Sequence, residues 1–429
     1  MQLIVWLVLC AMLSFLLRKR PVALIGVALA LRVAIPSVGA SLVTGQEISV
    51  QLQPATYFLM CAFLITLLSH SQAAGRELGA HFFFYLVMLL AFVFMLLVTV
   101  TLRGPQSVVL LVDTFGMGLL LLILVRVAMV DVPKNGRSIA IVFVCIAIAE
   151  SAVALTQWFV HDTIFWKSYM ANFYWYSPTG TTVTGTIGAL LDVGMLLAIA
   201  VPLTASIPRP VFRFSAALVL ILGILATERR TPLIVALLGL LYLLIISKMP
   251  SVARVVAFVG VGVAGWVILA SNLIQGVTDR FNNDVISGQV RNEALDYFLA
   301  NIDTQPWYGG GFGANGAVQG LLSSFENGYT MYAWDFGVFI AAVIFGALIV
   351  QLLLAVFRRP LVPGALVAFA AALFLIGTYS GLQTQGPGSW ILFFTAGLCA
   401  AKARDQASSR GHERVELSAR PGFEPAKPH

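Results

Sequence analysis

Long apolar runs separated by short polar breaks recur along the chain from Leu3 to about Ala401. Most are roughly 16 to 23 residues long, and about 20 residues of helix cross a hydrocarbon core of about 30 Å. Backbone in lipid has no water to bond, so such a segment satisfies its own amides and folds as a helix. The pattern predicts an all-α polytopic membrane protein with about twelve to thirteen transmembrane helices. The candidate spans are approximately 2–17, 22–43, 54–69, 80–101, 107–125, 138–160, 184–206, 213–227, 232–247, 254–271, 336–357, 361–379 and 389–401. Two breaks are long. Residues 161–183 read HDTIFWKSYMANFYWYSPTGTTV, and residues 272–335 form a polar loop with a helical pattern from Arg291 to about Ile302. The reading is one membrane domain over residues 1–403, loop 272–335 included, and a tail over 404–429 too polar to bury a core of its own.

Composition agrees: 59% of residues are hydrophobic and 10% charged, against about 25% charged in an ordinary soluble domain. The net charge of +7 does not point to nucleic acid, because Lys and Arg sit in short clusters between the apolar runs and so orient the helices. With the amino terminus outside, the short inner loops hold thirteen basic residues, the tail six and the outer loops six. That excess on the inner side supports this orientation and places both long loops and their chemistry outside, the tail inside. The run Leu3–Leu17 precedes Arg18, Lys19 and Arg20, the reverse of a cleavable signal, so the first helix is expected to be retained. Cys10, Cys61, Cys145 and Cys399 all fall within apolar runs, without metal-ligand spacing.

The chain has no phosphate-binding G-x-x-x-x-G-K-[ST] loop, no H-E-x-x-H, no Cys/His cluster and no Asp-x-Asp pair, so neither a metal nor a cofactor is expected. The outer turn ATERRTP, residues 226–232, carries more information. Thr231 suits a helix cap and Pro232 its first turn. Arg229 and Arg230 then stand beside free amides, an arrangement that favours phosphate. Arginines that snorkel to the interface would look the same. Neighbouring residues point in different directions, so one of the pair is expected to act. In the long loop, Arg280 and Arg291 flank a polar stretch. QPWYGGGFGANG, residues 305–316, is a glycine-rich turn that lets backbone approach a ligand closely. ENGYTMYAWDFG, residues 326–337, leads into the next span, with Glu326 either a general base or a solvated carboxylate. Aromatic side chains crowd residues 161–183, Trp175 among them, and Trp307 adds another in the glycine-rich turn. They suit either a sugar path or an interfacial belt. Asp113, Glu150 and Asp192 fall inside apolar runs, where acids are costly and usually paired or functional. Arg32 is a possible buried partner for one of them.

Glu326–Gly337 resembles the H-N-x-Y-L-x-x-L-x-E-x-G signature of the O-antigen ligase/polymerase superfamily, with Asn327, Tyr329 and Gly337 matching and Asp335 standing for its glutamate. Pro306–Gly313 resembles that family's P-L-x-G-x-G turn, and Arg291 occupies the place of its loop arginine. ERRTPLIVALLGLL resembles its arginine helix, and TGTIGALLDVGMLLAIAVPL its G-T-F-x-x-P-N-x-L-A segment. Ligases of the family carry His where this chain has Glu326, a difference that favours a polymerase. The resemblance implies an exopolysaccharide repeat-unit polymerase, of the xanthan type on size and the Glu326 variant. It would lie in a bacterial inner membrane, its site facing the periplasm and its carboxyl terminus the cytoplasm. The implied partners are a glycan on undecaprenyl pyrophosphate, the lipid bilayer, and flippase and chain-length or export proteins. Arg229 or Arg230, with Arg291, would neutralise the diphosphate, and Glu326 would deprotonate an acceptor hydroxyl. Arg280, Asn327, Tyr329, Asp192, Trp307 and Trp175 would bind or position substrate. The alternatives are a glycan ligase and a transporter or flippase of the same lipid-linked sugars.

Overall fold

The computed structural model describes residues 2–45, 52–170, 183–247, 285–317, 325–358 and 360–399. The predicted span 254–271, Arg280 and Trp175 lie outside these residues. Among the described residues the chain is helical and forms no strand. The helices used below are α1 (Gln2–Leu16), α2 (Pro21–Ala34), α3 (Ser37–Thr44), α4 (Pro54–Ser69), α5 (Ser71–Ala80), α6 (Phe82–Leu102), α7 (Pro105–Asp131) and α8 (Asn135–Val160). They continue with α9 (Leu190–Leu203), α10 (Pro210–Ala226), α11 (Arg230–Ile246), α12 (Val285–Asn301), α13 (Gly328–Phe336), α14 (Val338–Arg358), α15 (Ala365–Ile376) and α16 (Gly388–Leu398). Four of them, α6, α7, α8 and α14, are long and apolar enough to cross a membrane alone, and α4 with α5 forms a pair bent by 98°. Most of the rest are shorter apolar helices.

Breaks appear where local chemistry forces them. The predicted span 22–43 is two helices, because Pro36 holds Ile35 in extended backbone and ends α2. Within α7, Val112–Gly116 form a π-helical turn, a widened turn of the kind often found at functional sites. α7 also runs on to Asp131. Arg126, expected in an inner loop, is therefore inside the bundle and buried. Its guanidinium lies 3.6 Å from the buried Glu77 carboxylate and donates to Gln351 at 3.1 Å. Tyr85 donates to the same carboxylate at 2.7 Å. A helix can carry this arginine through apolar surroundings because α5 folds back to supply the acid.

α9 is the central helix. Every residue from Asp192 to Leu203 is buried, and α8, α10, α11 and α15 pack around it. At the periphery, α1, α6 and α14 expose large apolar side chains such as Ile4, Phe83 and Phe357. A surface of that kind suits lipid. The molecule is an all-α, multi-pass membrane protein.

One end of the bundle gathers the chemistry. There Arg103 Nε donates to Gly310 O at 2.9 Å, Gln157 exchanges hydrogen bonds with the Gly185 backbone, and Trp166 Nε1 donates to Ala34 O at 3.3 Å. The T-G-T-I segment is fixed by α8: Glu150 accepts the Thr186 amide and hydroxyl, each at 2.7 Å.

Candidate active site

The first group of candidate residues forms at the amino ends of α9 and α11. α11 begins at Arg230, with Arg229 rather than Thr231 in the capping position. Pro232 still falls within the first turn, where no carbonyl waits for its missing N–H, so the helix can start two residues earlier than expected. Glu228 makes the entry turn with φ of 55°, a left-handed conformation uncommon outside glycine. Arg229 and Arg230 are both half-buried beside the first-turn amides. α9 lies against them because Gly194 has no side chain. A methyl there would be 2.9 Å from Pro232 Cγ and 3.8 Å from Arg229 Cβ. Asp192 lies half a turn earlier on α9, buried, and accepts the Tyr379 hydroxyl at 3.1 Å.

The second group is α13 and the turn before it. Asn327 caps α13, its Oδ1 accepting Tyr329 N at 2.9 Å and Thr330 N at 3.4 Å. Tyr329 packs edge-on against Phe345 and donates its hydroxyl to Leu373 O at 2.5 Å. Both side chains thus build the helix that presents Glu326, which stands half-buried one residue before the cap. Behind α13, Ala294 and Phe298 of α12 pack with Phe325, Met331 and Trp334 in a small apolar cluster. Arg291 lies on α12.

The glycine-rich turn is folded onto α13 with its amides directed inward. Gly311 N donates to Asp335 O at 2.8 Å, Phe312 N to Thr99 Oγ1 at 3.2 Å, and Gly313 N and Asn315 N to the Asp335 carboxylate at 2.6 and 3.0 Å. Glycine is required because the turn approaches the α13 backbone, with Gly309 at φ of 76° and any methyl on it overlapping the Asp335 carbonyl. The close approach expected of this turn is therefore made to its own helix. Burial pushes the Asp335 carboxyl up to about 7, while the Gly313 and Asn315 donors and the Arg103 charge pull it back down. Trp307 is 69% exposed, with its ring 5.7 Å from that of Phe94 on α6.

Segment 377–387, between α15 and α16, joins the two groups. Its Tyr379 holds Asp192, and its Gln383 donates to Asp335 and accepts from Asn315 Nδ2 at 2.6 Å. Ile376 and Leu382 meet Gly328 at the start of α13. The structure thus sets Asp192 against Tyr379 of this segment, on the helix whose Gly194 meets Arg229, and brings Glu326, Asn327 and Tyr329 together at the start of α13, with Asp335 at its far end. The Trp307 ring faces Phe94 of α6, while its backbone abuts Gly337 at the end of α13. Sequence reasoning missed Gln383, Tyr379 and Asn315. The available signal was a strongly polar stretch, TYSGLQTQGPGS, set between two apolar runs.

The intramembrane acids are also accounted for. Arg32 pairs with Asp113 at 2.7 Å, both side chains fully buried, and Glu150 is held by Thr186.

No curated protein matches the chain. Residues 215–339 match the family model described as O-antigen ligase. The match runs from α10 into the start of α14 and takes in Arg229, Arg230, Arg291 and Glu326. The chain therefore carries a domain of the O-antigen ligase/polymerase superfamily.

Proposed function

We propose that this protein is a polysaccharide polymerase, an inverting glycosyltransferase that needs no metal. It moves a growing glycan from undecaprenyl pyrophosphate to a lipid-linked oligosaccharide repeat unit. The observation that carries the reading is the family match, which spans the arginines at the head of α11, Arg291 of α12 and Glu326 before α13. In the proposed step, an acceptor hydroxyl oxygen attacks the anomeric carbon of the donor. The bond from that carbon to the pyrophosphate oxygen breaks, and undecaprenyl pyrophosphate leaves. Glu326 takes the hydroxyl proton. Arg229 or Arg230, with Arg291 and the α11 amides, meets the charge on the departing diphosphate. Fixed positive groups placed where charge develops need no rearrangement at the moment of reaction. Arg280 belongs to the same cationic set, and Trp307 and Trp175 to the sugar path. Asp192 supports the cavity from α9, and Asn327 and Tyr329 fix the helix behind Glu326.

The membrane is a bacterial inner membrane, with the α11 and α13 amino ends on the periplasmic side and the tail in the cytoplasm. That face offers no nucleotide, so the donor must arrive with its leaving group installed. A flippase would deliver it, and chain-length or export proteins would take the product. The xanthan type of exopolysaccharide is the finer assignment, resting on chain size and Glu326.

The family description favours a second reading, a ligase that passes finished glycan to a different acceptor. Purified protein given only lipid-linked repeat units separates these readings. A polymerase forms a ladder of longer glycans, a ligase needs an added acceptor, and a transporter makes no covalent product. Glu326→Gln should abolish the ladder and leave repeat units unconsumed. A normal ladder from that variant removes Glu326 from the mechanism.

A further inference from the structure

Segment 377–387 is held at its carboxyl end and in its middle by unusual chemistry. At its carboxyl end, Arg32 of α2 donates to Asp113 Oδ2 at 2.7 Å and to Gly386 O at 3.0 Å. The Gln53 side chain donates to Gln385 O. Asp113 also accepts from the Gln53 amide at 3.3 Å and from the Thr56 hydroxyl, and its own carbonyl accepts Trp390 Nε1 at 2.9 Å. The Arg32 guanidinium stacks 4.8 Å from the Trp390 ring. Space is so tight that a methyl on Gly386 would overlap an Asp192 carboxylate oxygen. In its middle, Gln383 bonds Asp335 and Asn315, which in turn hold the glycine-rich turn against α13.

A buried arginine–aspartate pair returns little net stability over an apolar pair of similar shape. Here it sits on a π-helical turn that aims Asp113 at Arg32. Its yield is location: two backbone carbonyls of one outer segment are fixed by cationic and amide donors inside the bundle. We propose that segment 377–387 is a positioning strap. The Arg32–Asp113 pair anchors it, and Gln383 transmits that anchoring to the glycine-rich turn and to α13, which presents Glu326. Arg32, Asp113 and Gln383 are positioning residues. The inference rests on the reading of Glu326 as the base, but its structural half stands separately.

The test uses full-length protein in lipid nanodiscs. Two variants are made: Gln383→Ala, and the paired change Arg32→Met with Asp113→Leu, which removes both charges. Hydrogen exchange over residues 309–317 is followed alongside kcat and KM for lipid-linked repeats. In both variants exchange over 309–317 should quicken at least tenfold, while α14 is unchanged. The value of kcat should fall at least tenfold, with KM within twofold. Adding the paired change to Gln383→Ala should lower kcat by less than twofold more, because both act through one segment. Wild-type exchange and kcat in Gln383→Ala overturn the strap, as does loosening spread evenly over all helices. If the paired change fails to fold, Gln383→Ala decides. If the wild-type protein forms no glycan product, the functional reading fails while exchange still judges the strap.

Discussion

Among the described residues, the Asp335 carboxylate accepts from the Gly313 and Asn315 amides, the Asn315 side chain and the Gln383 side chain. A proton on this carboxyl displaces at least one of these donors, so the turn is complete only when Asp335 is ionised. Because burial has moved its titration up to about 7, activity should fall as pH drops through that value. Asn315→Leu removes donors that favour the charged form, so it should shift the acidic limb of kcat/KM to higher pH. A pH–rate profile checks this, and an unmoved limb removes Asp335 from it. Arg32 and Asp113 make a second residue-scale case. Arg32→Met alone leaves an uncompensated buried carboxylate, a change that costs about 3–5 kcal/mol. Joining it with Asp113→Leu should restore most of that stability. Thermal unfolding in detergent distinguishes the single change from the pair.

Between elements, the decisive contact is that of the glycine-rich turn with α13. Gly309→Ala forces a left-handed alanine into the Asp335 carbonyl and should destabilise by more than about 1 kcal/mol. Gly316 faces open space, so Gly316→Ala should stay within about 0.5 kcal/mol of wild type. Equal effects in the same unfolding assay would show that the turn is not seated as described. This scale also shows what could be read from sequence. The apolar runs located α4, α6, α8 and α14 to within a few residues, because lipid imposes both length and polarity on a helix. Pro36 and the π-turn at Asp113 went unread, since an interrupted helix keeps the same apolar composition. The glycines 309–313 were recognised as a close approach, but glycine alone cannot say which backbone is being approached. Gln383 was hidden for a similar reason. Its partners lie 48 and 68 residues away in the chain, and neither periodicity nor charge pattern links them.

For the molecule as a whole, the apolar belt of α1, α6 and α14 fixes it in a bilayer but does not say which end faces out. The proposed orientation rests on the uneven distribution of Lys and Arg. Cysteine placed at Gly104, beside the glycine-rich turn, should react with an impermeant thiol reagent added to intact cells stripped of their outer barrier. Cysteine at Arg209, at the opposite end of the bundle, should react only after the membrane is opened. The reverse pattern would put the arginines of α11 on the nucleotide-bearing side and end the proposed mechanism.

The π-turn of α7 carries one residue more than a regular helical turn needs. Removing a single amino acid from Val112–Gly116 would let the helix close its ordinary bonds while swinging everything before the cut by about 100°. Such a shortened protein would gain local helical regularity and lose the aim of Asp113 at Arg32. In this chain a smoother helix is therefore expected to hold the strap less well.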